Sequence, residues 1–137
     1  MTTRLLAGAD AQARAVLLIG DSEAFRELSR LLRTGKAAAV DVEGVRGRAA
    51  IRPIDAFRLE RGLGGVTIAL SGDTATLTGD AVSSARLAEE IELFLEHNDL
   101  NQPGMHMHID ASSGGAGEVL APQSHGLVLA GPVPDSG

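Results

Sequence analysis

The chain of 137 residues has no cysteine, tryptophan or tyrosine, and phenylalanine occurs only three times. The absence of cysteine excludes disulfides, thiolate nucleophiles and zinc sites with cysteine ligands. Because aromatic rings are so few, the core must consist mainly of Leu, Val, Ile and Ala, and stacking surfaces for nucleic acid are nearly absent. The length fits one domain, which we place at residues 1–130, with a disordered tail at residues 131–137.

Basic residues are almost missing from the second half of the chain. Residues 1–61 hold eleven Lys and Arg against eight acidic residues, a net charge of +3, whereas residues 62–137 hold one Arg against ten acidic residues, a net charge of −9. Such an acidic half disfavours nucleic acid and speeds encounter with a basic protein. The alternative interpretation is that the acidic residues only keep the protein soluble.

Long uninterrupted apolar runs are also missing. No segment near Met1 is long and apolar enough for a secretory signal, and no segment elsewhere is long enough for a membrane span. We therefore expect a cytoplasmic protein without a membrane partner.

What the sequence does contain is a regular succession of strand and helix patterns. The apolar run at residues 15–19 predicts a strand buried on both faces. The spacing of Phe25, Leu28 and Leu32 predicts a helix that follows this strand and ends at Gly35. Further along, the same criteria predict strands at residues 37–43, 66–70, 75–78 and 126–130 and a helix at about residues 81–97.

Two segments carry weaker patterns. Residues 1–14 are rich in alanine without a clear period, and we expect the start of this segment to be a frayed terminus. Residues 44–65 contain five arginines around Pro53, and residues 56–60 alternate well enough to predict an edge strand, because proline is excluded from central strands. A nucleic-acid patch is one function for the arginines, but Phe57 is the only aromatic residue among them.

The two halves of the chain follow the same course of strand, Gly-Asp, amphipathic helix and strand. Ile19-Gly20-Asp21 corresponds to Thr78-Gly79-Asp80, and at the same offset Leu28 corresponds to Leu87. We therefore predict an α+β fold, a two-layer sandwich in which two helices pack on one face of a shared, mostly antiparallel sheet. The pattern also indicates a β-α-β internal repeat.

The most informative stretch is residues 104–110, in which apolar and polar side chains alternate strictly. Successive side chains of a strand point to opposite faces, so two methionines and an isoleucine share one face, as is typical of a core strand. The opposite face carries His106, His108 and Asp110.

Three functions fit this polar face. Two histidines separated by one residue on a strand can both ligate zinc, and a carboxylate or His125 could complete the site. A His–Asp pair could act as acid and base, but no nucleophile elbow, phosphate loop or paired-carboxylate signature accompanies it. The third function is partner recognition, which needs no further component.

Four segments of the C-terminal half carry a family resemblance through their order. They are Leu77-Thr78-Gly79-Asp80, a helix with Leu87, Ala88 and Ile91, the strand His106-Met107-His108-Ile109-Asp110, and Leu120-Ala121-Pro122-Gln123-Ser124. In this combination, residues 66–130 resemble immunity protein family 32 of bacterial polymorphic toxin systems. The resemblance implies a small non-enzymatic α+β protein that binds and neutralises a cognate toxin in the producing cell, and we expect neither a cofactor nor a catalytic residue.

Our primary hypothesis is therefore an immunity-type protein that covers the active site or the substrate path of a basic toxin. One competing hypothesis is a metal-binding module or metal-dependent hydrolase centred on the histidines of residues 104–110. Another is an uncharacterised structural domain that forms a homodimer. Three glutamates of the second predicted helix are expected on its outward face and join the strand in the predicted contact. The predicted toxin contacts are His106, His108, Asp110, Glu89, Glu92 and Glu96.

Overall fold

The computed structural model describes residues 5–12, 14–47, 49–100, 102, 105–109, 120–121 and 124–131. Two helices and ten strands are assigned in this part of the chain. The helices are α1 (Ser22–Thr34) and α2 (Ala81–His97). The strands are β1 (Leu5–Asp10), β2 (Ala15–Ile19), β3 (Ala38–Val40), β4 (Val42–Gly44), β5 (Ile51–Pro53), β6 (Ala56–Arg61), β7 (Thr67–Ser71), β8 (Thr74–Gly79), β9 (His106–Ile109) and β10 (Gly126–Ala130).

The strands form two mixed sheets. In sheet A the order is β4-β1-β2-β10-β9, with β5 also paired to β1, and in sheet B the order is β3-β6-β8-β7. Five of the eight pairings between these strands are antiparallel and three are parallel. The predicted α+β class is therefore confirmed. The strands are divided between two sheets, not joined in one, because each helix leads from a strand of one sheet to a strand of the other.

Both helices begin where a Gly-Asp pair follows a strand. The carboxylate of Asp21 accepts a hydrogen bond from the Ala24 backbone N–H at 2.8 Å, and Asp80 accepts one from Ser83 at 2.7 Å. These caps satisfy N–H groups that have no partner inside the helix. Helix α1 ends at Gly35, whose φ of +66° is the left-handed conformation that glycine adopts readily. The predicted helix starts and the predicted end of α1 are confirmed.

The helices run in opposite directions and pack against each other. Gly35 at the end of α1 lies beside Ala81 at the start of α2, and the Ser29 hydroxyl donates a hydrogen bond to the Ala88 carbonyl oxygen at 3.3 Å. Within the described residues, neither helix is long and apolar enough to cross a membrane.

One core cluster combines both helices with the inner faces of both sheets. Burial of each large aliphatic or aromatic side chain contributes about 1.5–3 kcal/mol. The largest fully buried side chains include Phe25, Phe57, Leu18, Ile68, Leu87, Ile91, Leu127 and Leu129. The helix layer therefore covers the inner faces, and the opposite faces of the sheets point away from it.

Strand β1 was not predicted, and residues 1–4, where a frayed start was expected, lie outside the described residues. The strand lies inside sheet A between β4 and β2, and its Ala7 and Ala9 are buried. A Cβ atom at Gly8 would lie 2.3 Å from the Cγ2 of Ile51, so only glycine allows β5 to approach this closely. Alternating Ala and Gly carry little hydrophobic signal, although the close packing of neighbouring strands requires them.

Strand β6 is central in sheet B, between β3 and β8, so the prediction of an edge strand at residues 56–60 is wrong. Pro53 lies in β5, whose pairing in the described chain is with β1. The exclusion of proline from central strands therefore applies to β5, and a new strand begins only three residues after Pro53.

Four strands of each sheet pair in the same way, and β4 and β5 are additional strands of sheet A. The antiparallel pair β1–β2 corresponds to β7–β8, the parallel pair β2–β10 to β8–β6, and the antiparallel pair β10–β9 to β6–β3. Positions 59 residues apart, such as Leu18 and Leu77, occupy corresponding places on the inner faces. An ancestral duplication stays a prediction.

The segment before β10 joins the two sheets. The Ala121 backbone N–H donates to the Val66 carbonyl oxygen at 2.7 Å, and the chain then continues into sheet A as β10. Gly131, the first residue of the predicted tail, is buried, and a Cβ there would lie 2.0 Å from the carbonyl oxygen of Leu100. Residues 132–137 lie outside the described residues.

Candidate functional site

The alternation predicted for β9 is confirmed. Met107 is half-buried and Ile109 is buried, and both pack with the core, whereas His106 and His108 are exposed. Their side chains project from the opposite face of the strand, as the period of two requires. Asp110, which was expected on the same face, lies outside the described residues.

The two histidine rings contact each other edge to face. The centroids of His106 and His108 are 4.8 Å apart, and the ring planes meet at 81°. Two imidazoles this close offer nitrogen donors and acceptors within one small area. Such a pair is suited to hydrogen bonds with a carboxylate or amide on the surface of a partner.

The register of sheet A places the histidines at the border of an apolar surface. Strand β9 is the last strand of the sheet order, and its neighbour β10 pairs in turn with β2. Side chains that share a face therefore follow one another across the sheet. The outer face of sheet A consists of Leu6, Ile19, Ala130 and His106 in one row and of Gly8, Leu17, Val128 and His108 in the next. The Ile51 side chain lies against Gly8.

This outer face is partly open to solvent. Leu6 is 37% exposed, and Leu17 and Val128 are half-buried, whereas Leu18 on the inner face is fully buried. Ile19 is shielded by its neighbours and is 6% exposed. A contiguous apolar surface bordered by polar side chains is typical of a protein contact.

Glu92 does not lie on the outward face of α2, so this prediction is wrong. Its carboxylate accepts hydrogen bonds from Arg33 of α1, at 2.8 Å from Nε and 2.6 Å from Nη2, and from the Ser29 hydroxyl. Hydrogen bonds from Arg33 and then Ser29 lower the pKa of Glu92 to about 2. Because Ala88 contacts α1, the residue four positions later faces α1 as well.

Glu89 and Glu96 are exposed on α2, as predicted. The helix layer packs against the inner face of sheet A, whereas His106 and His108 project from its outer face. The predicted contact residues therefore do not form one patch, because the glutamates and the histidines belong to different layers.

His125 is not brought to the histidine pair. Its Nδ1 lies 3.2 Å from the carbonyl oxygen of Ile68, against β7 of sheet B. Among the described residues, no three His, Asp or Glu side chains form a group that could hold a metal ion. The prediction that His125 could complete a zinc site with His106 and His108 is therefore wrong.

Known proteins do not identify the chain. No protein-family model, curated protein or solved structure matches it. The resemblance of residues 66–130 to immunity protein family 32 therefore stays a prediction. Any assignment of function depends on the chemistry of the chain's own surfaces.

The apolar outer face of sheet A was missed, although the sequence contains its signal. Every residue of Ala15–Ile19 is apolar, and the run was interpreted as a strand buried on both faces. The structure buries Ala15, Val16, Leu18 and Ile19 and leaves Leu17 half-buried. A continuous apolar run does not distinguish a strand covered within the chain from a strand that a partner covers.

Proposed function

We propose that this chain is a non-enzymatic, immunity-type protein that binds and neutralises a cognate bacterial toxin. The observation that carries the proposal is the partly exposed apolar outer face of sheet A, with His106 and His108 along its border. An apolar centre with a polar rim is the usual anatomy of a protein interface. The resemblance of residues 66–130 to immunity protein family 32 supports the same class of function.

Leu17 and Val128 form the centre of the proposed contact. They pair directly across β2 and β10, two internal strands of sheet A, so their positions are ordered before a partner arrives. A preorganised surface loses little conformational entropy on binding. Covering these side chains contributes about 25 cal/mol for each Å² of apolar area removed from water, while the two imidazoles set orientation.

The exposed glutamates of α2 contribute long-range attraction to a basic toxin. Charges outside the contact raise the association rate more than the affinity, and salt screens them. Joint Glu89→Lys and Glu96→Lys substitution should slow association several-fold at low salt and have little effect at high salt. Unchanged association kinetics at low salt would remove the electrostatic part of the proposal. Glu92 is unsuitable for this test because it bonds Arg33.

The experiment has two stages. Protein captured by this chain from its producing organism is identified by mass spectrometry, and the captured protein is then expressed alone and together with the chain. We expect growth arrest when the captured protein is expressed alone and rescue by the chain. Capture of a protein that does not impair growth would contradict the proposal.

Matched variants place the contact on the molecule. Leu17→Lys, and His106→Ala combined with His108→Ala, should each weaken toxin binding, the lysine at least tenfold. Thr76→Lys is the control, because Thr76 occupies the equivalent outer position of sheet B. Rescue that survives Leu17→Lys but is lost in Thr76→Lys would rule out the outer face of sheet A. Metal content of the untagged protein tests the competing metal-binding hypothesis.

A further inference from the structure

A concave site, separate from the outer face of sheet A, lies where the two sheets meet. Its volume is about 570 Å³, and its lining comes from the β1–β2 hairpin, from residues 49–52, from β7 and from the residue before β10. Leu70 contributes an apolar side chain, whereas the Ile51 side chain packs against Gly8 on the outer face of β1. The polar side chains of the cleft are Asp10, Arg14, Arg52 and His125.

The charge of this cleft is opposite to that of the chain. Its lining residues include two arginines, Arg14 and Arg52, and one acidic residue, Asp10, whereas the whole chain carries a net charge of −6. Arg52 pairs with Ala9 and Ile51 pairs with Asp10, so the Arg52 side chain lies on the face opposite that of Asp10. The Asp10 carboxylate also accepts a hydrogen bond from the Gln12 backbone N–H at 3.1 Å. Guanidinium groups present several donors in one plane, which matches the oxygens of a carboxylate or phosphate.

The ring of His125 has a defined orientation. Its Nδ1 lies 3.2 Å from the carbonyl oxygen of Ile68. Because a carbonyl oxygen only accepts hydrogen bonds, Nδ1 carries the proton and donates in this contact. Nε2 is then the ring nitrogen that remains for a ligand.

The backbone at Arg14 is strained. Its φ of +49° lies in the left-handed region, which is unfavourable for residues other than glycine. The conformation is held by hydrogen bonds from the Arg14 N–H to the Ala11 oxygen at 3.3 Å and from the Gly126 N–H to the Arg14 oxygen at 2.9 Å. In the β7–β8 hairpin, the residue with positive φ is a glycine, Gly72, at φ +61°. Arginine in a place that suits glycine indicates that its side chain is used.

We propose that this cleft binds a small organic anion that combines a carboxylate or phosphate group with a short apolar chain. Arg14 and Arg52 hold the negative oxygens, and the His125 ring borders the site. Leu70 contacts the apolar chain. The cleft does not include the Leu17 and Val128 side chains of sheet A, so this site does not depend on the proposed toxin contact.

Titration with butyrate and with butyl phosphate, followed by NMR of the imidazole rings, tests the site. We expect saturable shifts of the His125 ring and none of His106 and His108, which serve as internal controls. Butanol and inorganic phosphate each carry half of the proposed ligand and should bind at least tenfold more weakly. The tighter of the two anions identifies the acidic group. Equal binding of butanol, or equal shifts of His106, His108 and His125, would overturn the proposal.

Two arginine variants complete the test. Arg52→Gln should weaken anion binding at least tenfold, whereas Arg26→Gln on the exposed face of α1 should leave it unchanged. Arg14→Gly should weaken binding at least tenfold and also raise Tm, because glycine relieves the left-handed strain. This combined result separates a ligand-binding arginine from one that only supports the hairpin. Binding that survives both Arg14→Gly and Arg52→Gln would overturn the proposal.

Discussion

The outer faces of the two sheets differ, although the strands that form them pair in the same way. At the centre of sheet A, Leu17 of β2 pairs with Val128 of β10. At the equivalent place in sheet B, Thr76 of β8 pairs with Arg58 of β6. Threonine also occupies the outer positions two residues before and after Thr76. Sheet B therefore presents hydroxyl and charged groups where sheet A presents aliphatic ones.

This difference shows that the strand pairing does not require apolar side chains on the outer face of a sheet. Threonine suits an exposed strand, because it is β-branched and its hydroxyl group bonds with water. Leu17, 59 residues before Thr76, leaves apolar area in contact with water without a gain for the fold. Since equivalent pairings tolerate a polar outer face in sheet B, the apolar face of sheet A supports the proposed contact function.

The inner faces are what the two sheets share, and damage there should have the largest effect on stability. Leu18→Ala in β2 and Leu77→Ala in β8 remove equivalent side chains that are 0% and 3% exposed. Each should lower the free energy of unfolding by about 2–5 kcal/mol. Because one core cluster contains both residues, urea denaturation should show one cooperative transition. Leu63→Ala, at a fully exposed side chain, is the control. Separate transitions for the two sheets would contradict a shared core.

The ion pair of Glu92 and Arg33 joins the two halves and should have the next largest effect. The pKa of Glu92, about 2, lies below the usual value of 4.5. The ion pair therefore stabilises the fold above about pH 4.5, and this contribution is lost as the pH falls toward 2. Glu92→Gln should lower the free energy of unfolding by about 1–1.5 kcal/mol at pH 7, because the paired side chains remain partly exposed.

Urea titrations at pH 7, 4 and 2 check this pH dependence. The difference between the natural chain and Glu92→Gln should shrink as the pH falls. Glu96→Gln removes an exposed carboxylate of the same helix and is the matched control. An equal loss of stability in both variants would show that the ion pair has no special role.

The β1–β2 and β7–β8 loops place different residues, Arg14 and Gly72, at positive φ. Substitutions at these two residues should change the free energy of unfolding in opposite directions. Gly72→Ala should lower the free energy of unfolding by about 1 kcal/mol, whereas Arg14→Gly should raise it by up to about 1 kcal/mol. Thermal melts measure both changes. Gln12→Gly, in the same loop as Arg14 but without a positive φ, should bring no gain. A similar gain from Gln12→Gly would refute the strain at Arg14.

Exchange of the outer faces should have the smallest effect on stability. Leu17→Thr and Thr76→Leu should each change the free energy of unfolding by less than about 1 kcal/mol, because both positions are half-buried. The fluorescence of a dye that binds apolar surfaces should fall for Leu17→Thr and rise for Thr76→Leu. Unchanged dye binding in Leu17→Thr would mean that the outer face of sheet A is not an accessible apolar surface.

Local signals explain the successful predictions. Asp21 and Asp80 are helix caps in sequence as in space, since a cap acts on residues two or three positions away. The bounds of α2 and β10, and the two faces of β9, likewise follow from spacing within a few residues. Such patterns need no knowledge of which elements become neighbours.

The wrong predictions all depend on neighbours that are distant in the chain. The Ala and Gly residues of β1 have their purpose in the approach of β5, and β6 is central only because β3 and β8 arrive on its two sides. The orientation of Glu92 depends on where α1 packs. Sequence spacing contains none of these distances.

The sequence by itself determined the α+β class, the helix caps, the alternation of β9 and the absence of cysteine chemistry, because these depend on composition or on contacts within a few residues. Only the tertiary structure decided that the strands form two sheets, that Leu17 and Val128 lie beside His108, and that Arg14 and Arg52 share a cleft. These arrangements arise from pairing between segments far apart in the chain, and a strand's pattern specifies which face is apolar but not what covers it.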